Sequence, residues 1–173
     1  MPDSFVEFPL ERAHHLARWQ ELVDDPELAR WPGRVETDRL GRIIVSLIPA
    51  LSHSFRQGDI FRALCDLLPG EALFACPLVT LDGVKVIDVV WIGPESRPGL
   101  KAQNPVALER APEICVEVLS PSNSKPEMEE KRALYFGAGA QEVWICGLDG
   151  KMEFYTADLS AASRLCPMFP GQL

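Results

Sequence analysis

Residues 112–147 read PEICVEVLSPSNSKPEMEEKRALYFGAGAQEVWICG. The apolar run from Glu113 to Leu119 is a strand that carries Glu117 near its end. The turn Ser120-Pro121-Ser122-Asn123-Ser124 breaks it, because proline removes a backbone donor and serine and asparagine bond their own backbone. A helix follows over Glu127 to Gly137, bearing Lys131 and Tyr135, with Gly139 beyond its end. Glu142 to Cys146 is a second apolar strand. Strand, helix and strand in this order belong to a sheet with helices packed against it.

Upstream, Val84 to Ile92 is another apolar strand. Side chains alternate faces along a strand, so Val84, Val86, Asp88, Val90 and Ile92 are expected to share one face with Asp88 as its only charge. Glu113, Cys115, Glu117 and Leu119 are expected to share a face of the later strand. Burying a lone carboxylate costs several kcal/mol unless a partner or a metal compensates it. If the two strands are neighbours, Asp88 and Glu117 converge on one cation. Otherwise each acid pairs with an arginine or caps a backbone group. Two isolated acids on strands of one sheet, with a lysine on the adjoining helix, are the parts of a metal-dependent phosphodiesterase.

The remaining elements read outward from this centre. Residues 9–30 are helical, with Leu10, Ala13, Leu16, Ala17, Leu22 and Leu28 as a broken stripe, a break at Asp24-Asp25-Pro26, and a stop at Trp31-Pro32-Gly33. Arg34 to Asp38 and Arg42 to Leu47 form a hairpin turning at Leu40-Gly41. Ala50 to Leu68 is a helix stopped by Pro69-Gly70. Ala72 to Leu81 joins Val84 to Ile92 through Asp82-Gly83, a strong hairpin signal. Residues 93–111 form a Pro- and Gly-containing loop, whose length marks it as functional or mobile. Met152 to Tyr155 closes the sheet after a turn at Asp149-Gly150, and the tail after Asp158 is weakly structured. The fold class is α/β (α+β), a mixed β-sheet flanked by helices.

At 173 residues the chain is long enough to bury one core of ordinary size. No apolar run spans a bilayer, and the start MPDSFVEFPLERAHH lacks a basic region followed by an apolar stretch. A cytoplasmic protein without membrane partners is expected. The five cysteines form no CxxC pair, which argues against a zinc site or a disulfide framework. Lys and Arg number 17 against 25 Asp and Glu, a formal net charge of −8 that works against casual nucleic-acid binding. Arg34, Arg39, Arg42, Arg56 and Arg62 either gather on one basic face or are ordinary solvated arginines.

The segments Asp88-Val-Val-Trp, Pro112-Glu-Ile-Cys-Val-Glu117-Val-Leu-Ser120-Pro-Ser122, Lys131-Arg-Ala-Leu-Tyr135, Gly139 and Glu142-Val-Trp144 resemble the Uma2 family. Arg34-Val-Glu36-Thr-Asp, Gly41-Arg-Ile, Pro49 and His53 extend the resemblance to roughly residues 31–156. That family is assigned to the PD-(D/E)XK nuclease superfamily, the restriction-endonuclease-like enzymes. The resemblance implies an endonuclease domain over residues 31–157, between an N-terminal helical segment (1–30) and a C-terminal tail (158–173).

It also implies Mg²⁺, or Mn²⁺, held by Asp88, Glu117 and the carbonyl of Val118, with DNA as the substrate. Glu36 looks like the family's N-terminal acid. His53 and Tyr135 are candidate substrate contacts, with a helix cap or surface position and a core-edge position as their plain alternatives. The pattern departs at Ile87, which replaces a proline, and at Leu119, where the superfamily lysine should stand. Lys131 would fill that role from the helix, unless it is a solvated lysine paired with Glu127. Small nucleases of this superfamily often pair to cut both strands, so a homodimer is expected. The rival expectation is a non-catalytic homodimeric module that keeps the fold. Asp88→Asn and Glu117→Gln are expected to remove the metal without unfolding the protein.

Overall fold

In the computed structural model, the structure describes the backbone of residues 4–31, 33–47 and 50–173, and the side chains of these residues apart from 4–11 and 29. Residues 1–3 of the expected N-terminal segment, the Leu10 side chain, Pro32 of the expected stop and Pro49 of the family resemblance lie outside this description. Helix α1 (Ser4–Val23) and a 3-10 turn (Leu28–Arg30) flank the break at Asp24-Asp25-Pro26. The hairpin of β1 (Arg34–Thr37) and β2 (Ile43–Ser46) forms its own two-stranded sheet. Helix α2 (Leu51–Leu67) leads into the long hairpin of β3 (Glu71–Thr80) and β4 (Gly83–Ile92). Helix α3 (Arg97–Gln103) precedes β5 (Ile114–Val118), α4 (Lys125–Gly137), β6 (Glu142–Cys146), β7 (Met152–Tyr155) and β8 (Leu159–Ser160).

Strands β3 to β8 lie in chain order in one six-stranded sheet. All its pairs are antiparallel except β5–β6, which α4 connects as a parallel crossover. One cluster packs Ile60 and Leu64 of α2 against Val89, Val116, Trp144 and Phe154. Another packs Tyr135 of α4 and Ala138 just past its end against Ile87, Val90, Cys115 and Val143. The sheet is therefore covered by helices on both sides, as its near-continuous apolar strands require.

Local chemistry explains the element ends. Ser124 and Glu127 form a reciprocal capping box at the start of α4, satisfying two donors that a helix N-terminus leaves open. Gly83 at the β3–β4 turn has φ +81°, and a Cβ there would lie 2.5 Å from the carbonyl oxygens of Thr37 and Asp38. Glycine thus permits both the turn and the close seating of β1 against it.

Two expectations are corrected. The loop at 93–111 contains α3, with Pro98 in the first helical turn, where its missing N–H costs nothing. Its far end is also fixed, since the Leu108 amide donates to Pro77 O and its carbonyl accepts from the Val79 amide, both at 2.8 Å. The tail after Asp158 is structured as well. It adds β8 to the sheet and buries Cys166 and Phe169. Phe169 packs 4.6 Å from Trp144 between ring centroids. The buried Glu142 carboxylate anchors this tail by accepting from Ser163 Oγ and the amides of Arg164 and Leu165 at 2.7–2.9 Å.

Candidate active site

The site lies where β4 parts from β5. Its ladder with β5 covers Val89↔Val116 to Trp91↔Ile114 and then ends. One more step in that register would set Asp88 opposite Glu117, and like charges directly opposite destabilise a sheet. Asp88 instead turns one oxygen to the Val118 amide, which donates to Oδ2 at 2.8 Å. On the other edge the register passes from Phe74↔Val89 to Cys76↔Ile87 without an Ala75–Asp88 pair. Ala75 there has φ +50°, the left-handed region. The expected alternation over Val84 to Ile92 consequently breaks at Asp88. Val84 and Val86 pack with Trp19 and Leu22 of α1, whereas Ile87, Val90 and Ile92 pack in the cluster that includes Tyr135 of α4.

With β5 gone, β1 supplies side chains to β4. The Val84 amide donates to Thr37 Oγ1 at 2.8 Å and the Val86 amide to Glu36 Oε1 at 2.9 Å. This docking carries Arg34 and Glu36, two residues apart on one strand face, into the site. Arg34 Nη1 donates to Asp88 Oδ1 at 2.6 Å and Nη2 to Glu36 Oε1 at 3.0 Å. Its Nη2 also lies 3.8 Å from Glu117 Oε1. From α4, Lys131 Nζ donates to Glu36 Oε1 and Glu117 Oε2, both at 3.4 Å. Tyr135 OH donates to Glu117 Oε1 at 2.5 Å. From the first turn of α2, His53 Nε2 lies 3.3 Å from Asp88 Oδ2.

Asp88, Glu36, Glu117, Lys131, Tyr135 and His53 are all buried. All but Tyr135 line an open cleft of about 1400 Å³, together with Ser120, Ser122 and Asn123 of the turn after β5. Lys131 therefore faces the acids rather than solvent, and Glu127 is engaged in the helix cap. Leu119 continues the ladder to β6, its amide donating to Cys146 O at 2.9 Å.

Burial acts on every charge here, and the partners decide the outcome. Desolvation pushes Asp88 up, but the hydrogen bond from His53, the charge of Arg34 and the Val118 amide together hold it below the usual carboxylate range. Glu117 goes the other way. Desolvation and the neighbouring Asp88 charge raise it, against Lys131, Arg34 and Tyr135. Lys131 is drawn down by burial, yet Glu117 and Glu36 raise it above its ordinary value. Burial and Glu117 push the Tyr135 phenol well up, so it is a donor at neutral pH.

Sequence reasoning left Arg34 among five arginines that gather or are solvated. They do neither as a group. Arg34 is the hub of the acids, whereas Arg42 pairs with Asp38 and Arg62 lies near Asp59, both with side chains 74 % exposed. The available signal was its spacing from Glu36, which puts both on one face of a strand too short to bury either alone. Ala75 carried no signal, since nothing in an alanine announces a positive φ. Val118 contributes its amide to Asp88.

Carboxylate oxygens from three strands suit a hard divalent cation. Both oxygens of Asp88 and Glu117, and Oε1 of Glu36, are taken up by Arg34, Lys131, Tyr135, His53 and the Val118 and Val86 amides. Among the described residues, no group of three or more His, Cys, Asp or Glu is arranged to hold a metal ion. The donor set fits a metal chemically, on the condition that Arg34 gives way.

The Uma2 family model, described as "Putative restriction endonuclease", matches residues 14–168. No curated protein gives a match. The fold is similar to that of a crystal structure described as "a putative nuclease belonging to DUF820 from Anabaena variabilis ATCC 29413". The TM-score is 0.60 at 18 % identity, over 83 % of this chain and 79 % of that one. Among the described residues, no helix is long and apolar enough to cross a membrane.

Proposed function

This chain belongs to the Uma2 family, and from that premise we propose that its cleft hydrolyses DNA phosphodiester bonds with Mg²⁺, or Mn²⁺, as an endonuclease. The observation that carries this reading is the convergence of three buried acids with Lys131 and Arg34 at the floor of an open cleft. Asp88 and Glu117, with the Val118 carbonyl, would hold the ion, and Glu36 is an accessory acid. When bound, the ion lowers the pKa of water and stabilises charge growing on the phosphate. Tyr135 and His53 orient the acids by hydrogen bonds, so that neither carboxylate must reorganise. Lys131 reaches from α4 the space that Leu119 leaves uncharged, and there it orients water or meets a phosphate oxygen. The free cysteines suit a cytoplasmic protein. A homodimer, which would let two sites face two strands, draws support from the exposed apolar residues Ile44, Val45 and Leu47 at the β2 edge.

The pairing of both carboxylate oxygens of Asp88 and of Glu117 within the protein favours a second reading, a non-catalytic homodimeric module in which this cluster is structural. Supercoiled plasmid, incubated with Mg²⁺, Mn²⁺ or chelator, separates the two. Nicking by the wild type that requires metal and vanishes in Asp88→Asn and Glu117→Gln supports the nuclease. No cleavage with either metal, and no metal-dependent rise in melting temperature, supports the module. Equal cleavage by all three proteins would reveal a contaminating nuclease and sink the assignment. Light scattering of the same samples is expected to give a dimer mass.

A further inference from the structure

Among the described residues, Arg34 is the one cation within 4 Å of all three acids. It lies 2.6 Å from Asp88, 3.0 Å from Glu36 and 3.8 Å from Glu117. Those contacts are made by Nη1 and Nη2, while the Nε–H is buried without a hydrogen-bond partner. The Arg34 side chain is also 25 % exposed, whereas those of Asp88 and Glu117 are 3 % and 5 % exposed. The arginine therefore enters from the cleft side, on a hairpin whose second strand is largely exposed.

Formal charge points the same way. Asp88, Glu36 and Glu117 carry three negative charges, and Arg34 and Lys131 return two. A divalent ion in place of the guanidinium makes the buried cluster neutral. Arg34 and Lys131 already share Glu36 Oε1, at 3.0 and 3.4 Å, so a divalent ion added to these oxygens would meet the repulsion of both, and Arg34 is the one that also occupies Asp88 Oδ1.

We propose that Arg34 is a resident counter-ion, which holds the three acids together in the metal-free protein and must leave them when a divalent cation binds. This rests on the metal-dependent reading of the same site and adds its regulation. Metal affinity is set by the difference between two cations on one set of acids. The β1–β2 hairpin, or the Arg34 side chain alone, is the part that moves.

Direct Mn²⁺ titration, following free ion by electron paramagnetic resonance, tests this on the full chain. Arg34→Gln is expected to bind Mn²⁺ about tenfold or more tightly than wild type, the size of an ordinary coupling between sites. Added guanidinium at non-denaturing concentration should bring the variant back toward wild-type affinity. Equal or weaker binding by Arg34→Gln, while the wild type binds, overturns the competition and leaves the metal reading standing. Absence of binding in both proteins overturns both. If Arg34→Gln fails to fold, the wild type decides alone. Its buried arginine side-chain ¹⁵N signal should shift as Mg²⁺ saturates, and an unchanged signal overturns the proposal.

Discussion

Asp88 is satisfied on both oxygens, by Arg34 on one and by the Val118 amide and His53 on the other. That corrects the expectation that its removal would leave the metal-free fold intact. Asn keeps the shape of Asp but leaves a largely buried guanidinium without its nearest charge. Breaking a buried pair in this way costs about 3 kcal/mol, so Asp88→Asn is expected to lower the urea midpoint of metal-free protein. The pH dependence gives a second readout. The Asp88 carboxyl lies below its ordinary 3.8, so its stabilisation is present above that value and is lost as pH falls through the lower folded value. Glu117 lies above its ordinary 4.5, so stability falls as pH rises from there toward its folded value. Asp88→Asn should therefore flatten the acid limb below 3.8. An unchanged midpoint and limb would show that Asp88 is not the partner Arg34 needs.

At the scale of elements, the site is made by an interruption. Strand β4 loses its β5 partner beyond Val89 and its β3 pairing at Ala75, and β1 fills the opening with Thr37 and Glu36. The Ala75 conformation is expensive, since a side chain in the left-handed region costs on the order of 1–3 kcal/mol. Glycine meets no such penalty, although it loses more chain entropy on folding. Ala75→Gly is expected to stabilise the protein by about 1 kcal/mol, raising its thermal midpoint. A fall would mean that the Ala75 methyl contributes packing that outweighs the strain.

At the scale of the whole molecule, the tail closes the core. Phe169 and Phe154 both contact the Trp144 ring, and Glu142 beneath them accepts from Ser163, Arg164 and Leu165. Deleting residues 159–173 would expose that aromatic cluster and leave Glu142 with Trp144 Nε1 as its remaining donor. Loss of a buried aromatic alone costs about 3–5 kcal/mol, so the truncated chain is expected to unfold at far lower urea than the full one. A truncated chain of unchanged stability would show that residues 159–173 add nothing to the core.

Apart from α3, the order of elements from residue 34 to 155 was legible in the sequence, because each carries its own local signal. Apolar runs bounded by Asp82-Gly83, Pro69-Gly70 and Asp149-Gly150 mark strands and turns. Asp88 and Glu117 stood out for the same reason, as lone charges in apolar strands. Pairing was not legible. That β5 leaves β4 at Asp88, that Ala75 twists, and that the tail packs on Trp144 depend on contacts between residues far apart in the chain. Arg34 shows the difference most clearly. In the sequence it is one surface-type cation among several. Only the docking of β1 on β4 puts its guanidinium among Asp88, Glu36 and Glu117, because the cost of burying those three charges is met by a partner that arrives through tertiary structure.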